Sequence, residues 1–161
     1  MENYPVESIR NIKTHPLDFK GPWNDQRINV EGEMLTLDDI ENKIVRPVFD
    51  DPRIHYAFNC AAIGCPNLKT SAFSGTGLDA VLDTQARAYI NDPRGVVVEE
   101  GKVTASKIFL WYQEDFGEDE AEVLDHIRQY ASPELTRSLA GKTEIDNYAY
   151  DWALNLATSS P

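Results

Sequence analysis

The chain is 161 residues long, 42% hydrophobic and 10% aromatic, enough for one domain with a sizeable core and too short for two ordinary ones. Its formal net charge of −12 comes from Asp and Glu spread along the whole length, and such a field repels phosphate backbones and anionic lipid, so neither nucleic acid nor a membrane is an expected partner. No apolar run approaches the ~20 residues that span a bilayer, and the opening "MENYPVESIR" lacks a basic-then-apolar leader, which predicts a soluble chain, cytoplasmic or exported after signal removal.

Residues 1–25, punctuated by Pro5, Pro16, Gly21 and Pro22, read as an irregular arm with a short helical turn around "VESIRNI". The core is expected over 26–155, with a tail over 156–161. "QRINVEGEMLTL" reads as a hairpin turning at Gly32. Thr36 followed by Asp39 resembles a capping box, which predicts a helix over "LDDIENKIV" that Pro47 limits. "IHYAFNCA" has the aromatic and apolar density of a central strand. Residues 77–91 place Leu78, Val81, Leu82, Ala86, Tyr89 and Ile90 at helical spacing. "GVVVEEGKVTAS" reads as a second hairpin, and Ser106 then caps a helix "KIFLWYQEDF" that ends at Gly117. Two further helices follow in "DEAEVLDHIRQYA" and "SPELTRSLAG", and "TEIDNYAYDWALN" is strand-like at first. The sum is an α+β domain: a small, mostly antiparallel sheet with helices packed on it.

Both cysteines fall near His55. In a strand, Tyr56, Phe58 and Cys60 would share one face and His55, Ala57 and Asn59 the other, which makes Cys60 a core sulfur. Cys65, between Gly64 and Pro66, lies in a tight loop that can return its sulfur toward His55 and Asn59. A Cys–His pair with an orienting Asn or Asp is the minimum equipment of thiol catalysis. That reading takes Cys65 or Cys60 as nucleophile, His55 as base, and Asn59 or Asp115 as the orienting group. Its structural rival is a Cys60–Cys65 disulfide, whose short loop is worth about 2 kcal/mol on the chain-entropy model. His55, Cys60 and Cys65 have an unusual spacing and no fourth ligand, so no metal is expected, and no cofactor motif is present. His15 lies in the arm, and His126 sits between Leu124 and Ile127 at the edge of a helical core face. Trp111 and Tyr112 either join the core or line a substrate pocket whose polar end is Glu114 or Asp115. Asp151, beside Trp152, is a further substrate-binding candidate.

Taken in order, "YPVESIRNI", "LTLDDIENKIVRP", "DPRIHYAFNCAAIGCPNL", "ARAYINDPRGV", "SKIFLWYQEDF" and "YDWALN" resemble the family catalogued as domain of unknown function 547. The resemblance brings no settled activity. Members usually carry a helical segment upstream, which this chain lacks, so the resemblance implies a shortened relative or a fold completed by something else. It also implies apolar surface that a homo-oligomer would hide. The expected His55 strand is similar to the histidine strand of papain-like and transglutaminase-like folds. Two functions are therefore expected as alternatives. One is a thiol-dependent hydrolase or acyltransferase acting on peptide or amide bonds. The other is a non-catalytic domain that binds a peptide or protein, with Cys60 and Cys65 structural.

Overall fold

Two hairpins with the same turn chemistry organise the strands. The computed structural model describes residues 6–12, 22–25 and 28–156. It falls into two compact units: one takes the chain up to Asp50, Cys60–Ile63 and Asp151 onward, the other Asp51–Asn59 and Gly64–Tyr150.

In the first unit, Ser8 caps a single 3-10 turn, Ile9–Asn11, by accepting from the Arg10 N–H. Strands β1 (Ile28–Val30) and β2 (Glu33–Leu35) pair antiparallel through Glu31 and Gly32, whose φ angles of 52° and 94° are those of a left-handed two-residue turn. Thr36 and Asp39 cap each other as their spacing predicts, at 2.9 and 3.0 Å. Pro47 does not stop the helix that follows. A π-helical segment, Asp39–Val45, runs directly into α1 (Arg46–Phe49), and the Arg46 N–H reaches back five residues to the Glu41 carbonyl. Pro47 thus enters in the first turn of the α segment, where its missing N–H matters least. Ala62 bridges Leu154, and the Leu154 N–H donates to the Glu7 carbonyl. Trp152 meets Trp23 edge-on at 6.3 Å and carries the Arg10 guanidinium 5.0 Å above its ring.

The second unit holds the main apolar core. Helix α2 (Leu78–Ile90) buries Leu82, Ala86, Tyr89 and Ile90, four of the six positions picked out by helical spacing. Strands β3 (Val96–Glu99) and β4 (Lys102–Ser106) form the second hairpin, turning at Glu100 and Gly101 with φ 50° and 76°. Four short helices follow: α3 (Ile108–Trp111), α4 (Gln113–Phe116), α5 (Glu120–Tyr130) and α6 (Pro133–Ser138). Strand β5 (Asn147–Ala149) then returns parallel to β4, giving the order β3-β4-β5. This is an α+β fold whose strand pairs are antiparallel except β4–β5. Phe109, Val103, Val123, Leu124, Ile127 and Leu139 are fully buried in its core.

Two expected elements differ. "IHYAFNCA" is not a central strand: Pro52–Tyr56 forms a 3-10 helix, and only Ala62 beyond it makes a bridge. Local chemistry overrides the apolar density here. The Asp51 carboxylate accepts from the Arg53 N–H at 2.9 Å and Pro52 occupies the first helical position, so Asp-Pro starts a helical turn. Ile54, His55 and Tyr56 are buried consecutively within that helical turn. Among the described residues the histidine strand of the papain-like and transglutaminase-like comparison therefore has no counterpart at His55. The single helix expected after Ser106 is interrupted at Tyr112 (φ −119°, ψ 31°), although Ser106 Oγ does accept from the Ile108 N–H.

Among the described residues no helix is long and apolar enough to cross a membrane. At Gly95 the backbone approach is tight: an added Cβ would lie 2.0 Å from the Tyr89 carbonyl oxygen. Neither backbone can yield cheaply, so Gly95→Ala should destabilise the fold by about 2 kcal/mol or more, read as a lowered urea midpoint.

Candidate functional site

Arg53 fixes the 3-10 turn. Its guanidinium reaches Asp51 at 2.6 Å and Asp79 and Asp83 of α2 at 2.7 Å each, which ties the turn to that helix. The next turn residues then point inward. His55 Nε2 lies 2.6 Å from Asp115 Oδ2, with the imidazole side chain 2% exposed and the carboxylate 24%. The ring Nε2–H donates to the carboxylate. Tyr112 stacks on the ring at 4.1 Å, and Phe116 lies 5.3 Å away. Tyr112, at the break between α3 and α4, and Asp115 and Phe116 of α4 all meet the one imidazole. Asn59 donates its amide to the Pro66 carbonyl at 2.8 Å.

Beside this pair lies a second buried histidine that the sequence reading left at the edge of the core. The Tyr56 hydroxyl is 2.9 Å from His126 Nε2, its hydrogen-bond partner in the aromatic cluster, so the O–H donates. Burial raises the phenol well above its ordinary value and pushes His126 down to about 4. Both groups are neutral at physiological pH.

Cys60 and Cys65 are joined in a disulfide, so neither is a thiol in this structure. The loop is well anchored. The Tyr150 hydroxyl lies 3.1 Å from Cys65 Sγ and donates to it, since a disulfide sulfur carries no hydrogen. The Arg94 guanidinium reaches the Cys65 carbonyl at 3.2 Å, and the Tyr89 hydroxyl donates to the Gly64 carbonyl at 2.7 Å. Tyr150, which the sequence reading did not single out, also meets Trp111 edge-on at 4.9 Å.

Trp111 faces outward, 45% exposed. It lines a cavity of about 430 Å³ together with Leu110, Gln113, Glu114, Gly117 and Glu118. The candidates thus divide. Trp111 and Glu114 reach the cavity, whereas Tyr112 and Asp115 pack against the buried His55 and are not among the lining residues. Asp151 belongs to the first unit, where its carboxylate accepts from the Ala153 N–H at 2.8 Å. His15 lies outside the described residues. Among the described residues no three His, Cys, Asp or Glu side chains gather as a metal-binding group.

A family model described as "Protein of unknown function, DUF547" matches residues 7–90, just over half of the chain. The matched stretch holds His55, Asn59, Cys60 and Cys65. Asp115, Trp111, Tyr112 and Asp151 lie beyond it. No match to the chain was found among curated proteins or solved structures.

The depressed His126 pKa has a signed consequence. Between about pH 6.5 and 4 the unfolded chain takes up a proton at this residue that the folded chain refuses, so stability is full above pH 6.5 and falls as pH drops toward 4. The shift corresponds to roughly 3 kcal/mol. Denaturant melts across that window should show the loss, and His126→Gln should flatten it.

Proposed function

The chain belongs to the DUF547 family, proteins of unknown function, and from that premise we propose that it is a binding domain for a peptide or protein segment. The observation that carries this reading is Trp111: a large aromatic, nearly half exposed, on the wall of a cavity of about 430 Å³ and braced edge-on by Tyr150. Buried aromatic anchors dominate peptide and protein recognition because they supply much apolar area at little cost in side-chain freedom, and an open aromatic-walled cavity is where such an anchor or its counterpart docks. Two features weigh against catalysis by the expected residues. His55 is almost wholly enclosed by Tyr112 and its carboxylate partner, and both sulfurs are consumed in the disulfide. In this reading the disulfide staples the loop, and His55–Asp115 holds the α3–α4 segment in place.

A library of random peptides displayed on phage and panned against the folded domain should yield enriched clones. Trp111→Ala should weaken their binding at least tenfold, equivalent to about 1.4 kcal/mol, while leaving circular dichroism unchanged. No enrichment, or binding indifferent to Trp111→Ala, would dismiss the reading.

The 2.6 Å His55–Asp115 contact favours a second reading, thiol-dependent hydrolase or acyltransferase chemistry on peptide or amide bonds once the disulfide is reduced. Iodoacetamide at about pH 6.5 should then leave the oxidised protein untouched and label Cys65 rapidly after reduction, with His55→Ala slowing the reaction. Labelling of the reduced protein at a rate that His55→Ala does not change would remove this alternative.

A further inference from the structure

The cavity beside Trp111 has a chemistry of its own. Its apolar wall is the Trp111 indole and Leu110, its polar wall is Gln113, Glu114 and Glu118, and no lysine or arginine lines it. Glu118 is positioned by its backbone. Its N–H donates to the Glu122 carboxylate at 2.7 Å, and its carbonyl accepts from the Gln113 amide at 3.2 Å. Its own carboxylate has no hydrogen-bond or ion-pair partner among the described residues. An aromatic surface next to carboxylates, in a chain of net charge −12, repels anions and attracts cations.

We infer that this cavity takes the side chain of an arginine carried by the bound peptide or protein segment. Resting on the peptide-binding reading, this names the chemistry that selects the segment. A guanidinium is planar and weakly hydrated, so it can lie against the indole and still present its N–H fork to a carboxylate. A lysine ammonium is a compact, strongly hydrated charge that gains less from the indole face. The cavity volume, about 430 Å³, falls within the range of small-ligand sites and exceeds what one side chain fills, leaving room for flanking backbone. Attraction by the acidic surface at large is the alternative, and it differs in one respect: it has no preference for where on the protein the charges sit.

The probe is the blocked tripeptide acetyl-Gly-Arg-Gly-amide, compared with its citrulline and glutamate counterparts. The readout is the indole N–H resonance of Trp111, assigned by its loss in Trp111→Phe, during titration of the full chain at millimolar peptide. The arginine peptide should shift that resonance saturably. The citrulline peptide, equal in shape and lacking the charge, should bind about tenfold more weakly, and the glutamate peptide should not bind. Glu118→Gln should weaken the arginine peptide by a similar factor, whereas removing two exposed charges away from the cavity, Asp125→Asn with Glu134→Gln, should leave it unchanged. Equal binding of the citrulline peptide, or equal weakening by the remote pair, would overturn the arginine assignment and leave the peptide-binding reading standing. If none of the three peptides moves the Trp111 resonance, the arginine assignment is overturned. The phage panning then decides separately whether the peptide-binding reading survives.

Discussion

A single phenol ring carries the packing of the larger unit. Tyr56 has no exposed surface, and its ring lies 5.9 Å from Tyr89 of α2, 6.4 Å from Phe109 of α3, 6.1 Å from Phe116 of α4 and 6.0 Å from His126 of α5. Four helices therefore converge on one side chain. Burying a phenol is favourable only if its hydroxyl keeps a hydrogen bond, and His126 Nε2 supplies the acceptor. That arrangement requires His126 to remain neutral, which is why burial can depress its pKa without leaving a charge unpaired in the core. The same 3-10 turn that buries Tyr56 places His55 one residue earlier, against Asp115 and Tyr112.

The short helices after Ser106, with the residues that join and follow them, face two ways. Tyr112, Asp115 and Phe116 share the inward face and close over His55. Trp111 of α3, Glu114 of α4 and Glu118, which follows the extended Gly117, line the cavity instead. A carboxylate and an aromatic thus occur on both faces with opposite fates. Inside, the carboxylate is committed to an imidazole. Outside, Glu118 is held by its backbone with its carboxylate toward solvent, and Trp111 keeps nearly half its surface open. Tyr150 links the outer face to the disulfide loop, meeting Trp111 with its ring and Cys65 Sγ with its hydroxyl.

Much of the fold was legible in the residues because it rests on local chemistry. Glu31-Gly32 and Glu100-Gly101 mark two-residue turns wherever they stand between strands, Thr36 with Asp39 marks a helix start, and the apolar stripe of residues 78–90 marks a buried helical face. The misread stretch was also governed by local chemistry. Asp51-Pro52 is a helix-start signal, and in the structure it outweighs the apolar density of the residues that follow. Pro47 misled for the opposite reason, since a wide π turn upstream let the helix pass it.

The sequence by itself determined the α+β class, the two hairpins, most helix starts and the identity of the residues from which a site could be built, because these depend on contacts within a few positions along the chain. Only the tertiary structure decided which of those residues meet. His55 and Asp115 are sixty positions apart, Tyr56 and His126 seventy, and Cys65 and Tyr150 eighty-five. No periodicity encodes such pairings, because each is fixed by where separate elements come to rest when their apolar faces are buried together. That packing set Asp115 and Tyr112 against His55 and left Trp111 on the exposed side.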